Sequence, residues 1–420
     1  MPDLRTRTKA DIAWLVTISA MVVLAGMAYT LWWAAVVRHH GWYWVVPGDT
    51  WATVRAAHWV DWGGFSFIYN AGTGLVTLPG FHVLLAPVVA LSSHLHLSET
   101  APGLPGPPKP TAWLLVGPSF LACATLPIFA ADALARRLGT AVWARRALAL
   151  GTGAAAWPTI AVWGHPEDVL ALGLAMYAVV ALLNRRLGAA GWLLGGALAM
   201  QLYAIALIPL FVAVVGRRKT APLLARIAIL PAFLLLSVII PNFHATVHAL
   251  FDQPNFPKVD HATPWILLAP KLGHGAVAAG PGRVIGLLLA VVVGAFGVRY
   301  RSDPRRIVWL AAVVLALRCL FESVMDPYYV MPVIVLALVV ASNLGGLRFM
   351  GAVAGGAGLT VLTYYRPDMW VYWFEMTGVM VAMVVLAWPA TTRQSSREDH
   401  DLGALEPRAR EAASTVAIPA

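Results

Sequence analysis

The chain has 420 residues, of which 59% are hydrophobic and only 12% charged, and its mean hydropathy is +0.72. A water-soluble surface ordinarily carries about 25% charged residues, so this composition excludes a soluble globular domain and makes the bilayer the solvent. The net charge of +10 does not point to a nucleic-acid partner, because the basic residues come in short clusters between apolar runs. These are Arg5, Arg7 and Lys9; Arg136, Arg137, Arg145 and Arg146; Arg185 and Arg186; Arg217, Arg218, Lys219 and Arg226; and Arg299, Arg301, Arg305 and Arg306. Such clustering is the positive-inside pattern of a multi-pass membrane protein.

The predicted fold is all-α: a polytopic transmembrane bundle over residues 1–390, with about 10 to 13 membrane segments of roughly 20 residues or fewer each. The first apolar run, residues 12–37, has no small-residue cleavage site and reads as a retained span, with the N-terminus in the cytoplasm. Residues 38–77, rich in Trp, Tyr and Gly, then form a first outer loop. Residues 78–95 are apolar but short. If they spanned, the next run, 111–135, would deliver Arg136, Arg137, Arg145 and Arg146 to the outside, so 78–95 is read as a re-entrant or outer-leaflet segment. A Pro-rich stretch, 101–108, follows it.

Residues 148–163 then run outward and 169–183 return. Residues 189–215 have basic clusters at both ends, which favours a hairpin of two short helices turning near Gln201 in mid-membrane. Residues 223–240 run outward, and 242–282 form a second large outer loop with Asp252, Lys258, Asp260, His261 and Trp265. The last candidate spans are 284–298, 307–324, 329–340, 349–362 and 371–388, and the polar tail 391–420 is expected to be a disordered cytoplasmic segment. Cys123 and Cys319 both lie in apolar runs, where packing rather than a disulfide is expected.

Polar side chains in or beside hydrocarbon are costly and mark functional candidates. Asp49, just after the first span, is either a turn or N-cap residue or a carboxylate that deprotonates an acceptor or helps hold a metal. Gly164-His165-Pro166-Glu167-Asp168 has the form of a helix start, with Pro and acids in the first turn. Capping accounts for one acid, but His165, Glu167 and Asp168 together at a membrane boundary ask for more. Arg318, Glu322 and Asp326 are spaced by four and four, which would place all three on one helical face, as a structural charge lock or as part of a site. Asp326-Pro327-Tyr328-Tyr329 closes that span, where tyrosine serves as an interfacial anchor or lines the site. Gln201 either ties down the backbone of its turn or contacts a ligand.

The order of these features resembles the GT-C superfamily of membrane glycosyltransferases, and within it the bacterial polyprenyl-phosphate-mannose-dependent mannosyltransferase-like branch (family 87). The likeness rests on Asp49 early in the first outer loop, Trp51, Ala56-Ala57, Tyr69, and the block Leu78-Pro79-Gly80-Phe81-His82-Val83-Leu84-Leu85-Ala86-Pro87. Gly164-His165-Pro166-Glu167-Asp168, Ala190-Gly191-Trp192-Leu193-Leu194-Gly195-Gly196-Ala197 and Asp326-Pro327-Tyr328-Tyr329 complete it. The chain departs from the pattern in having Asp49 alone at the start of the first loop, with Asp61 twelve residues on, where relatives often have a pair of acids, and Gln201 where many have Lys.

The resemblance implies sugar transfer at the outer face of the plasma membrane, from a polyprenyl-phosphate donor to a glycan or glycolipid acceptor. Asp49, Glu167 and Asp168 would be catalytic. His82, His165, Gln201, Arg318, Glu322, Asp326, Tyr328 and Tyr329 would contact substrate, with His165 or an arginine neutralising the leaving phosphate. A divalent metal, Mg or Mn, is the one cofactor the pattern admits. Two other classes fit the same residues: a secondary transporter, for which intramembrane carboxylates and a broken hairpin speak, and a non-catalytic lipid- or glycan-binding membrane protein.

Overall fold

The computed structural model describes residues 8–32, 48–70, 75–97, 111–251, 254–256, 261–362 and 370–389. The Pro-rich stretch 101–108, the tail 391–420, and Asp252, Lys258 and Asp260 of the second loop lie outside the described residues, as do 38–47 and 71–74 of the first.

The described chain is all-α apart from one short hairpin, Lys271–Gly273 with Ala276–Val277. The helices are α1 Lys9–Trp32, α2 Gly48–Asp61, α3 Gly80–His94, α4 Trp113–Ala122, α5 Thr125–Arg137, α6 Val142–Ala161, α7 Pro166–Leu183 and α8 Leu187–Met200. After a 3-10 turn, Leu202–Leu207, come α9 Ile208–Val215, α10 Arg217–Ile239, α11 Phe243–Phe251, α12 Gly280–Ala295, α13 Pro304–Leu320, α14 Met331–Ala341, α15 Gly346–Leu362 and α16 Val371–Leu386. Among the described residues five helical segments are long and apolar enough to cross a membrane: Lys9–Trp32, Trp113–Arg137, Pro166–Leu183, Arg217–Ile239 and Gly280–Tyr300. This is the architecture of an all-α membrane protein.

The basic clusters meet at one end of the bundle. Arg145 pairs with Asp11 at 3.1 Å and with Asp132 at 3.4 Å, joining the starts of α1 and α6 to the end of α5. Arg137 donates to the Asn184 side chain at 2.9 Å, Arg185 to the Arg301 carbonyl at 3.5 Å, and Arg348 to the Trp388 carbonyl at 2.9 Å. The opposite ends of α1 and α4 are tied by the Trp113 indole, which donates to the Thr30 hydroxyl at 3.2 Å. Helix α1 and the continuous α4–α5 segment therefore run in opposite directions, and every candidate site residue belongs to the end away from the arginine clusters.

Burial grades from the centre outward. Every residue of α14 is buried, and α7 is nearly so. The outward faces of α1, α10 and α12 instead leave Leu24, Phe233 and Leu288 more than half exposed. Such contiguous apolar surface is a liability in water and the expected exterior in lipid. Inside, small residues set the spacing: Gly191 and Gly195, four apart on α8, face α10, and a Cβ at Gly195 would sit 2.6 Å from the Ile227 carbonyl oxygen. Close backbone approach of this kind is how apolar helices gain packing energy where lipid removes the hydrophobic drive.

Several expectations are corrected. The stretch 38–77 is not all loop: it contains α2, and Asp49 sits in that helix's first turn. The run 307–324 ends as a helix at Leu320, so Arg318, Glu322 and Asp326 do not share one helical face. The second loop causes this early end: the Trp265 indole takes the Leu320 carbonyl at 2.8 Å, the Thr263 hydroxyl takes that of Glu322 at 2.6 Å, and the Thr263 N–H takes that of Ser323 at 3.1 Å. The chain does reverse at Gln201, but not in mid-span. Helix α8 runs back along the whole of α7, so that Gln201 reaches Asp168 in the first turn of α7, and α9 then returns Val215 and Gly216 to the side of Arg185. Helix α3 packs against α2, α4 and α8.

Candidate functional site

Helix α7 starts where the sequence says it should, with Pro166 in its first turn. His165 precedes it in a non-helical conformation, and its side chain makes no capping bond. Both ring nitrogens face carboxylates instead: Nδ1 lies 2.8 Å from Glu167 Oε1, and Nε2 lies 3.1 Å from Asp49 Oδ2, brought across by the start of α2. Asp168 Oδ2 is 3.7 Å from Nδ1. His165, Glu167 and Asp168 are buried, whereas the Asp49 side chain is 69% exposed. The row therefore runs from a solvent-facing carboxylate, through an imidazole, to interior carboxylates.

The electrostatics follow from that row. For His165, burial disfavours the charged ring, but the hydrogen bonds and charges of Asp49 and Glu167 outweigh it and hold its pKa well above the usual imidazole value. For Asp49, the surrounding protein pushes the pKa up, while the hydrogen bond and charge of His165 pull harder and leave it below the ordinary carboxylate value. Both flanking carboxylates thus favour the protonated form of the ring.

Around this row, Gln201 Nε2 donates to Asp168 Oδ2 at 3.2 Å while its Oε1 accepts from the Leu202 N–H at 3.0 Å. The amide thus ties down the backbone of its turn and anchors it to Asp168. Tyr203, which the sequence reading passed over, donates its hydroxyl to the Asp168 carbonyl at 2.9 Å. His82 is fully buried within electrostatic reach of Glu167, with the Leu78 and Pro79 backbone beside its ring.

A second arm is built on Glu322, which is 2% exposed. Arg318 approaches it at 3.4 Å. The closer partner is Arg283, whose Nε lies 3.1 Å from both carboxylate oxygens and whose Nη2 lies 3.0 Å from Oε2. Arg283 was not singled out in the sequence. Its signal is a lone arginine at the start of α12, at the end of the bundle otherwise poor in arginine.

The Asp326-Pro327-Tyr328-Tyr329 segment joins the two arms. The Tyr328 ring stacks on His165 with centroids 3.9 Å apart, and its hydroxyl donates to Asp326 Oδ2 at 3.1 Å. The Tyr329 ring lies 4.1 Å beneath the Arg318 guanidinium. The structure therefore assembles Asp49, His82, His165, Glu167, Asp168, Gln201, Arg318, Glu322, Asp326, Tyr328 and Tyr329 at one end of the bundle, and adds Arg283 and Tyr203.

His165, Glu167 and Asp168 offer a ring nitrogen and two carboxylate oxygens within 4.8 Å of one another. Glu167 Oε2 is buried with no hydrogen-bond partner. The donor set and the orphaned oxygen fit a divalent cation such as Mn or Mg once His165 gives up both a proton and its bond to Glu167.

Comparison with protein-family profiles, with curated proteins and with solved structures finds no match to this chain.

Proposed function

We propose that the chain is a GT-C-like membrane glycosyltransferase that moves a sugar from a polyprenyl-phosphate donor to a hydroxyl of a cell-envelope glycan or glycolipid at the outer face of the plasma membrane. The observation that carries this reading is the exposed carboxylate of Asp49 rooted on the buried His165. An acceptor hydroxyl is a weak nucleophile near neutrality and needs a base at hydrogen-bonding distance, worth typically 10²- to 10⁴-fold in rate. Asp49 is ionised, reachable from outside, and held in place by a ring that Glu167 and the Tyr328 face fix in turn.

In the reaction the acceptor oxygen attacks the anomeric carbon. As that bond forms, the bond to the lipid phosphate breaks and the acceptor proton passes to Asp49. Both nitrogens of His165 are occupied, so the charge on the departing phosphate falls to Arg318 and Arg283, whose side chains keep 16% and 20% of their surface open. A divalent cation, if bound, would be held by Glu167, Asp168 and a neutral His165 and would supply Lewis-acid charge to the site.

The test is Asp49→Asn in reconstituted membranes. It keeps the side chain's size and removes the base, so turnover with a polyprenyl-phosphate sugar should fall roughly 100- to 10,000-fold while donor binding persists. Full transfer by Asp49→Asn would remove Asp49 as the base.

One observation favours a second reading, that of a secondary transporter: the break between α8 and its following 3-10 turn is bonded through Gln201 to a buried carboxylate, Asp168. Broken helices beside intramembrane acids are a feature of coupled transport. Solute uptake by proteoliposomes, with no sugar transfer from any polyprenyl donor, would decide for it.

A further inference from the structure

At the end of the bundle opposite the site, the start of α8, the end of α9 and the start of α10 enclose a cavity of about 470 Å³ lined by Arg185, Leu187, Val215, Gly216, Arg217, Arg218 and Lys219. The Arg301 guanidinium stands behind it, 3.6 Å from where a Cβ on Gly216 would lie. Among the described residues none of these five cations has a carboxylate within ion-pair distance. Their neighbours do: Arg136, Arg145 and Arg306 pair with Asp132, Asp11 and Asp303.

Two local features here run against local stability. Arg217, Arg218 and Lys219 fill the first turn of α10, where the helix's own partial charge is positive and acids are the stabilising residues. Arg185 occupies the α7–α8 turn with φ +59°, a left-handed conformation in which glycine or asparagine is the low-cost choice. Cations toward the cytoplasmic side orient a membrane protein by their number, but that role does not require five of them to converge on one cavity with no carboxylate among them.

The flank of the cavity is apolar. Helix α10 rises from it with Ile229, Phe233 and Leu236 each at least half exposed, and α12, which ends near Arg301, likewise exposes Leu288, Val291 and Val292. A ligand seated among the cations would find hydrocarbon-lined surface on the bundle side of its head.

We infer that this cavity binds the phosphate headgroup of an anionic phospholipid, with the acyl chains lying along the exposed face of α10. Basic pockets between helices recognise such headgroups by charge-assisted hydrogen bonds to phosphate oxygens. The inference is independent of the chemistry proposed at the opposite end.

The experiment uses the full chain, purified in detergent, delipidated and titrated with phosphatidylglycerol or phosphatidylcholine, with bound lipid counted by native mass spectrometry. Phosphatidylglycerol should be retained preferentially. Arg217→Gln with Arg218→Gln should weaken that retention about 10-fold or more, from the loss of two headgroup cations. Arg146→Gln with Arg299→Gln removes the same charge from exposed positions outside the cavity and should change retention by less than about twofold. Equal losses from the two pairs would show diffuse attraction and overturn the site, as would no preference for phosphatidylglycerol in the wild type. Displacement of the lipid by millimolar inorganic phosphate would reassign the cavity to a soluble anion and overturn the lipid assignment. If the double variant unfolds, Lys219→Gln alone, on the exposed rim, must still lower retention.

Discussion

Replacing Glu322 by Gln tests whether the second arm is a charge lock and which arginine it locks. Glu322 is 2% exposed and takes a forked contact from Arg283 at 3.0 to 3.1 Å and a longer one from Arg318 at 3.4 Å. Gln keeps one acceptor oxygen, turns an NH₂ group toward a guanidinium that can only donate, and leaves two cations without their carboxylate. Breaking a fully buried pair costs about 3 to 5 kcal/mol. The guanidinium side chains keep 16% and 20% of their surface open, so water takes up part of their charge and the lower edge, about 3 kcal/mol, is expected.

The rescue separates the partners. Adding Arg283→Met to Glu322→Gln should recover most of the loss. Arg318→Met should recover less, because it also gives up the contact of Arg318 with the Tyr329 ring at 4.1 Å. The assay is a double-mutant cycle on the SDS-unfolding midpoint of the protein held in bicelles. A Glu322→Gln variant within about 0.5 kcal/mol of wild type, the usual range for a surface change, would refute the lock. Equal coupling of Glu322 to both arginines would refute the assignment to Arg283.

The remaining predictions touch packing, the helix reversal and the candidate metal donors. Gly195→Leu should push α8 off the Ile227 backbone and destabilise by about 1 to 3 kcal/mol or more, whereas Gly196→Ala, whose Cβ would meet only Leu174 at 3.5 Å, should unfold like the wild type; the same SDS midpoint reads both. Gln201→Ala should cost about 1 kcal/mol through the lost cap on the Leu202 N–H, and it should lower sugar transfer as well, because Asp168 loses its amide partner. Mn²⁺ added to metal-stripped protein should give one bound-ion signal by electron paramagnetic resonance, weakened at least about 10-fold by Glu167→Gln; an unchanged signal in that variant would dismiss the three-residue donor set.

The composition, the apolar runs and the punctuation by Pro and paired acids are local properties, and they suffice for an all-α chain of membrane-type helices and for the start of α7 at Pro166. The clustering of arginines also forecast that one end of the bundle would be basic, since charge sorts helix ends whatever the packing. What no local pattern contains is which side chains meet. Asp49 and His165 are 116 residues apart, and Arg283 and Glu322 are 39 apart. Their contacts depend on the rotation and depth of each helix, set by close approaches such as Gly195 on Ile227. The four-residue spacing of Arg318, Glu322 and Asp326 misled because it presumed a continuing helix. The second loop ends α13 at Leu320 by taking its carbonyls onto Trp265 and Thr263, and only then can Tyr328 turn onto His165 and Tyr329 under Arg318. Side-chain-to-backbone hydrogen bonds made across some 55 residues of chain decide that geometry, and they exist only once the tertiary fold has formed.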